Sequence, residues 1–332
     1  MRAARIFAVL MAALVAVAAC AGPAQQGGGA AGGAMPKPSG KQLAFLTGGT
    51  AGTYYPYGGA IANIWSQSDI GVNVTVEASG ASVENVRLLS ENKADLALVQ
   101  NDIADYAANG TEMFKAKQQV LGIAIMYPEV IQLVARADAG INTVQDLKGK
   151  RVGVGAPGSG NEANARQILT VANIKYSDLA QASQLSYAEM AAAMKDRRLD
   201  AMFVTAGVPN SAIQDIASGQ AVKMVPVTGD FAKSVKDKYS FFADATIPGG
   251  VYQGVSAETK TIAVQATLVA RTDLEENVVY WLTKTLFDKQ PQIATAHAKG
   301  KELARANALA GMSIALHPGA KRYYDEVGVK KP

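Results

Sequence analysis

Five short stretches of this 332-residue chain combine glycine with hydroxyl or amide side chains and carry almost no charge: 47–55, 78–85, 100–102, 155–161 and 205–207. Residues of these types suit a small anion. Glycine lets the backbone come close, N–H groups at helix starts carry partial positive charge, and Ser, Thr, Asn and Gln grip carboxylate or hydroxyl oxygens. One stretch by itself reads equally well as an ordinary turn or helix cap. Five of them, each following an apolar run, point to a cleft.

One of these loops contains a second pattern. Gly153, Gly155 and Gly158 spell G-x-G-x-x-G between a strand and a helix, the setting of a dinucleotide site. Such a site expects an acidic residue closing a second strand about twenty positions on. Residues 174–178 do not read as a strand, so the loop is read as a carboxylate cradle.

Catalytic sets are missing from the sequence. His297 and His317 have no ligand-spaced partner, no G-x-S-x-G elbow occurs, and the single cysteine, Cys20, lies near the N-terminus. Glu77, Glu84, Asp95 and Asp102 read as solvated or capping acids. The expectation is a binding protein, not an enzyme, with no metal and no cofactor.

The elements that must hold these loops alternate short apolar runs with amphipathic stretches, the pattern of α/β folds with largely parallel sheets. Strands are expected at 43–47, 72–77 and 95–100, and helices at 55–67 and from Ser82, taken as an N-cap. In open α/β sheets, ligands bind beyond the carboxyl ends of the strands, where the polar stretches fall. A second set follows: a strand at 150–154, a helix at 161–172, a strand at 200–204 and an apolar run at 222–227. Two extended runs, 130–136 and 263–271, bracket this set and both end in Val-Ala-Arg. A chain that leaves one α/β unit, builds another and returns by a matching strand makes two lobes on a two-strand hinge. Lobe I is then 41–133 plus 267–332, and lobe II is 134–266. A single larger α/β domain with two similar strands is the alternative. The C-terminal part is expected to be helical over 274–289, 291–310 and 321–327.

The N-terminus bears on compartment. Arg2 and Arg5 precede an uncharged apolar stretch at 6–19, the layout of a secretory signal peptide and too short for a permanent span. Val17-Ala18-Ala19-Cys20 resembles a bacterial lipoprotein box, in which Cys20 is acylated. An ordinary signal peptide with an incidental Cys20 is the other reading; the lipoprotein is preferred because the only cysteine sits where the lipid would go. Residues 21–40 are nearly all Gly, Ala, Pro, Gln and Ser, the composition of a flexible tether. Net charge is +4, falling to +2 once Arg2 and Arg5 leave with residues 1–19. Basic residues are scattered, so the footprint of a nucleic-acid binder is missing.

Taken in order, Leu46–Pro56, Ser79–Asn85 with Ala94–Gln100, Asp146–Val152, Pro157–Gly160, Leu199–Phe203 and Ile247–Tyr252 resemble the TAXI family. These are solute receptors of tripartite ATP-independent periplasmic (TRAP) transporters. The resemblance runs from about Gln42 to about Phe287. It implies a two-lobed, type II periplasmic-binding-protein-like α/β fold that closes on its ligand, and a membrane permease driven by an ion gradient as partner. Ligands of the family are glutamate-like and other small dicarboxylates. Carried over by motif, the ligand contacts are Thr50, Thr53, Tyr54, Ser79, Ser82, Asn85, Gln100, Ser159, Gly160, Asn161, Thr205 and Gly207. The arginine clamp of the better-known dicarboxylate receptors has no counterpart at these strand ends, although Arg87 lies one turn beyond Asn85, and Asn161 and Val251 replace threonines common in relatives. Three other functions fit the residues less well: a receptor for an ATP-driven importer or sensor kinase, an exported hydrolase using Ser159, and a purely structural lipoprotein.

Overall fold

A computed structural model describes residues 34–331. The expected signal peptide, Cys20 and the tether up to residue 33 lie outside the described residues. The chain first builds β1 (Lys41–Leu46), α1 (Tyr54–Gln67), β2 (Val72–Glu77), α2 (Ser82–Ser90), β3 (Leu96–Gln100) and α3 (Asn101–Asn109). It then enters a 17-residue strand, β4 (Val120–Arg136). A second series follows: β5 (Arg151–Gly153), α4 (Gly160–Val171), β6 (Gln181–Ser183), α5 (Tyr187–Lys195) and β7 (Ala201–Ala206). It continues through α6 (Ser211–Gly219), β8 (Val222–Val225), α7 (Gly229–Lys238) and β9 (Ala243–Ile247). The chain returns along β10 (Thr259–Arg271) and closes with α8 (Glu276–Asp288), α9 (Gln290–Ala296) and α10 (Pro318–Val327).

The strands lie in the order β2-β1-β3-β10-β4-β7-β5-β6, with β8 beside β4 and β9 beside β10. The two long strands make this path a two-lobed molecule. They pair antiparallel from Ala263↔Val130 to Arg271↔Val120. Each also serves a different neighbour: the second half of β10 pairs along its other edge with β3, and the second half of β4, from Val130 on, pairs with β7. Register shifts between Ala266 and Thr267 and between Leu268 and Val269 bend this ribbon, as bulges do. Pro128, exposed at the middle of β4, lacks an N–H to give a ladder and suits such a changeover point. The hinge-like runs expected at 130–136 and 263–271 are thus the C-terminal parts of longer strands and meet each other only at Val130↔Ala263.

Strand registers line up the loops. Leu46 of β1 sits opposite Glu77 of β2 and Ala97 of β3, so the turns after β1, β2 and β3 leave the sheet side by side. In the second series Gly153 of β5 sits opposite Ser183 of β6 and Met202 of β7, which aligns the turns after β5, β6 and β7. β3 is buried along its whole length and reads as Leu-Ala-Leu-Val-Gln, because helices cover both faces of such a strand. Separate apolar clusters underlie each lobe, one around Val86, Leu89, Val99 and Ile103, the others around Val152, Ile168 and Phe203 and around Met190, Met202 and Ile213.

Two local expectations fail. The helix expected over 291–310 ends at Ala296 and gives way to two short 3-10 turns, 298–301 and 305–307. His297 is extended there (φ −148, ψ 134); Gly300 then packs so tightly on the Ile293–Ala294 backbone that no side chain fits, which a continuous helix could not provide. Ser82 is not an N-cap but the first helical residue. The cap position is Ala81, at φ 72, and the Ser82 hydroxyl accepts the Gln100 N–H instead. Among the described residues no helix is long and apolar enough to cross a membrane.

Candidate ligand-binding site

The loops from both series meet around a cavity of about 190 Å³. Roughly 10–15 Å³ holds one water, so this space takes a small organic molecule. Ten of the twelve expected contacts line it: Thr50, Thr53, Tyr54, Ser79, Ser82, Gln100, Ser159, Gly160, Asn161 and Thr205. Asn85 and Gly207 do not. Asn85 is fully buried behind the wall. Its amide donates to the Thr47 and Leu98 carbonyls at 2.7 and 2.9 Å, and its oxygen accepts the Ser79 hydroxyl at 2.6 Å. Gly207 instead donates its N–H to Thr53 Oγ1 across the cleft. Arg87 is exposed on α2 and is not part of the cavity wall.

Lining the cavity is not the same as being free to bind. Asn161 reaches across two strand ends, donating to Phe203 O at 3.0 Å and accepting Thr205 N–H at 2.7 Å. Ser159 caps α4: it accepts Glu162 N–H and donates to Ala156 O. Ser79 is spent on Asn85 and on Ala81 N–H. These three are braces that hold the walls. Removing such a buried brace leaves backbone groups unpaired, at about 1–3 kcal/mol each. Gln100 differs: its Oε1 is buried with no donor among the described residues. An acceptor of this kind, in a cavity wall, is available to a ligand.

The helix starts divide the same way. At α2 the N–H groups of Val83 and Glu84 both donate to Gly158 O, from the loop after β5. The carbonyl of the facing lobe therefore takes two of the α2 donors, and only the first, the Ser82 N–H, is left without an acceptor among the described residues. At α1 and α4 the first N–H groups, Tyr54 and Gly160, have no acceptor among the described residues. Both residues line the cavity. A carboxylate there receives real donors and the favourable ends of two helix dipoles.

Further bonds cross the cleft and make this the closed arrangement. Ala51 O accepts from Asn210 and Ser211, Asn164 donates to Asp102 at 2.8 Å, and Gln167 donates to Tyr106 OH at 2.9 Å. Gly160 sits against the Gln100 carboxamide with no room for a side chain.

Sequence reasoning missed four lining residues: Glu129, Ser186, Tyr187 and Ala188. Glu129 follows Pro128 at the changeover of β4 and is buried, accepting a hydrogen bond from Tyr54 OH at 2.6 Å. Burial raises its carboxyl to about 8, against the pull of the Tyr54 bond. The Tyr54 phenol is also pushed up, first by burial and then by the neighbouring Glu129. One signal was available: an acid inside the otherwise apolar run 120–135. Tyr187 donates its hydroxyl to Thr205 O at 2.7 Å, and Ser186 caps α5 through Glu189. The two histidines serve as helix caps, His297 accepting Lys299 N–H and His317 accepting Gly319 N–H. No cluster of metal-ligating side chains occurs among the described residues.

A family model described as the NMT1-like family matches residues 45–328. Among solved structures, a protein of Bordetella bronchiseptica RB50 superposes with a TM-score of 0.57 at 16% identity, covering 86% of this chain and 98% of that one. The alkanesulfonate-binding protein SsuA from Xanthomonas axonopodis pv. citri, bound to MOPS, gives 0.50 at 15% identity, covering 86% and 84%. A binding protein component of an ABC phosphonate transporter from Pseudomonas aeruginosa gives 0.50 at 12% identity, covering 79% of each chain. At these identities the likeness is one of fold: the two-lobed architecture of solute-binding proteins.

Proposed function

Because this chain belongs to the NMT1-like family, and its two lobes enclose a polar cavity, we propose that it is an extracytoplasmic solute receptor. It captures a small carboxylic acid by lobe closure and delivers it to a membrane permease, without catalysing a reaction. The observation that carries this reading is the pair of open helix starts, α1 from one lobe and α4 from the other, facing one closed cavity. A ligand spanning them makes both sets of contacts only when the lobes are shut, so it selects the shut form. On this view residues 41–133 and 267–332 move against 134–266 about β4 and β10. The ligand contacts are Thr50, Gln100, Thr205 and the backbone of Tyr54 and Gly160, with Asn85, Asn161 and Ser159 as supports.

The order of motifs from Leu46 to Tyr252 favours a TRAP permease, driven by an ion gradient, as the partner. The phosphonate-transporter component named above shows that the same scaffold also serves an ATP-driven importer. Uptake in vesicles carrying the permease, with an ion gradient and no ATP, separates the two. Residues 1–20 favour export and a lipid on Cys20. Cys20→Ser should move the protein from the membrane to the soluble fraction, and unchanged membrane association would count against the anchor.

A thermal-shift screen of amino acids and C4 to C6 organic acids checks the central reading. A cognate acid at a hundred times its Kd stabilises by about 2.7 kcal/mol. Gln100→Ala, which removes the unpaired wall carboxamide, should shrink that shift at least tenfold in ligand concentration while the ligand-free protein melts as before. No shift with any acid would defeat the proposal.

A further inference from the structure

Glu129 is the one acidic side chain in the cavity wall, and no Lys or Arg lines that wall. The titratable groups around it come from four elements. Tyr54 of α1 donates to its Oε2, Tyr127 lies two residues before it on β4, Tyr187 of α5 lines the same cavity, and Asp102 of α3 is the nearest other acid. None of them is a cation. The buried base Lys299 lies over the Tyr127 ring at 5.8 Å and is bound to Glu302. Among the described residues no cation therefore offsets a charge on Glu129 when the lobes shut, and the Tyr54 hydrogen bond alone favours it.

This bears on what the cavity accepts. Each open helix start supplies partial charge of about half a unit, so α1 and α4 together match one carboxylate. The third candidate, α2, already has two of its first three N–H groups on Gly158 O, which offsets its positive end. A dicarboxylate would carry a second negative charge into a closed space whose remaining ionisable group is itself a carboxyl, and uncompensated buried charge is costly. A ligand with one carboxylate and one protonated amine balances the site: the carboxylate at the helix starts, the ammonium at Glu129.

We propose that Glu129 is the specificity-determining residue of this cleft, receiving a protonated amine, so that the receptor takes amino-bearing acids in preference to dicarboxylates or simple monoacids. The inference rests on the receptor reading above and adds the ligand's second group to it.

Matched pairs that differ only in the amino group test it: L-glutamate against glutarate, and L-leucine against 4-methylpentanoate. Calorimetry on the mature full chain near pH 7, in buffers of different ionisation enthalpy, reads both affinity and proton exchange. The amino member of the better-fitting pair is expected to bind at least tenfold more tightly and to release protons to the buffer from the fraction of ligand-free protein that is shut with Glu129 protonated, because Glu129 must ionise to meet the ammonium. Glu129→Gln, which keeps shape and loses charge, should cut that preference at least tenfold and abolish the proton release while the ligand-free protein melts no lower. The wild-type preference stands as a readout even if the variant folds poorly. Deaminated acids binding as tightly as their amino partners, or a preference that survives Glu129→Gln, would overturn this inference and leave the receptor intact. Silence from both members of both pairs would remove the receptor reading along with it.

Discussion

Raising the pH from about 4 to about 9 is expected to open the ligand-free protein, with a loss of several kcal/mol from the closed form. Two buried carboxyls drive this. Asp102 of α3 is shut between the lobes: its Oδ2 accepts from Asn164 of α4, while its Oδ1 and Asn164 Oδ1 are both buried without a donor. A proton on Asp102 supplies the donor that this acid–amide pair lacks. Burial raises the group from 3.8 to about 6, outweighing the Asn164 bond. Glu129 rises from 4.5 to about 8, again chiefly through burial. For an acid whose folded value is raised, the closed form binds more protons than the open or unfolded chain. Its stabilisation is therefore complete below the ordinary value and is lost as pH climbs to the raised one. At ~1.4 kcal/mol per unit, Asp102 accounts for roughly 3 kcal/mol lost between about pH 4 and 6. Glu129 accounts for roughly 5 kcal/mol lost between about pH 4.5 and 8. Because opening the cleft returns both groups to water, the expected response is lobe opening, not global unfolding. Small-angle scattering across this range should show the radius of gyration rising. Asp102→Asn should flatten the acid part of the curve and Glu129→Gln the part up to pH 8. A radius independent of pH would show that these carboxyls do not govern closure.

Gly160→Ala is expected to weaken ligand binding about a hundredfold while sparing the ligand-free fold. Gly160 is the first residue of α4 with no positive φ, so alanine suits its local backbone and the helix tolerates it. The added methyl, however, falls inside the Gln100 carboxamide of the facing lobe. Gln100 is almost wholly buried, at 2% exposure, and its carboxamide can avoid the methyl only by swinging into the cavity that the ligand would fill. Overpacking of this kind costs roughly 1–3 kcal/mol, and it is felt only when the lobes shut. The measurement is Kd by calorimetry beside the melting temperature of the ligand-free protein. Adding Gln100→Ala to the variant makes room for the methyl. It should restore compaction in scattering without restoring affinity, since the carboxamide is then gone. Full affinity in Gly160→Ala would mean that the closed form does not press Gly160 against Gln100.

The proposed specificity of Glu129 and these two results share one physical basis, which is closure over a cavity with no internal counter-charge. A cleft that must desolvate its own carboxyl when it shuts favours either a proton or a cationic guest. Gln100 and Gly160 set how tightly it can shut.

Much of this molecule was legible in the order of its residues. Alternation of apolar runs and helices fixes the α/β class, because parallel strands buried on both faces must be apolar along their length, as β3 is. The paired Val-Ala-Arg runs indicated two lobes, because a chain that returns beside an earlier strand needs a matching extended segment. Glycine and hydroxyl residues after strands located the cavity wall, since strand ends are where loops and helix starts gather. Tertiary structure alone decided which of those residues are free. Asn85 and Asn161 have the same chemistry as Gln100, yet their hydrogen bonds are taken by backbone groups brought near by folding. Likewise two N–H groups at the start of α2 are taken by Gly158, far away in sequence. Glu129 shows the same division. As one acid in an apolar run it had no evident role, and only the changeover of β4 between two neighbours at Pro128 brings it to the cavity. Hydrogen-bond capacity is a property of a residue, but whether it remains unspent depends on distances that only packing sets.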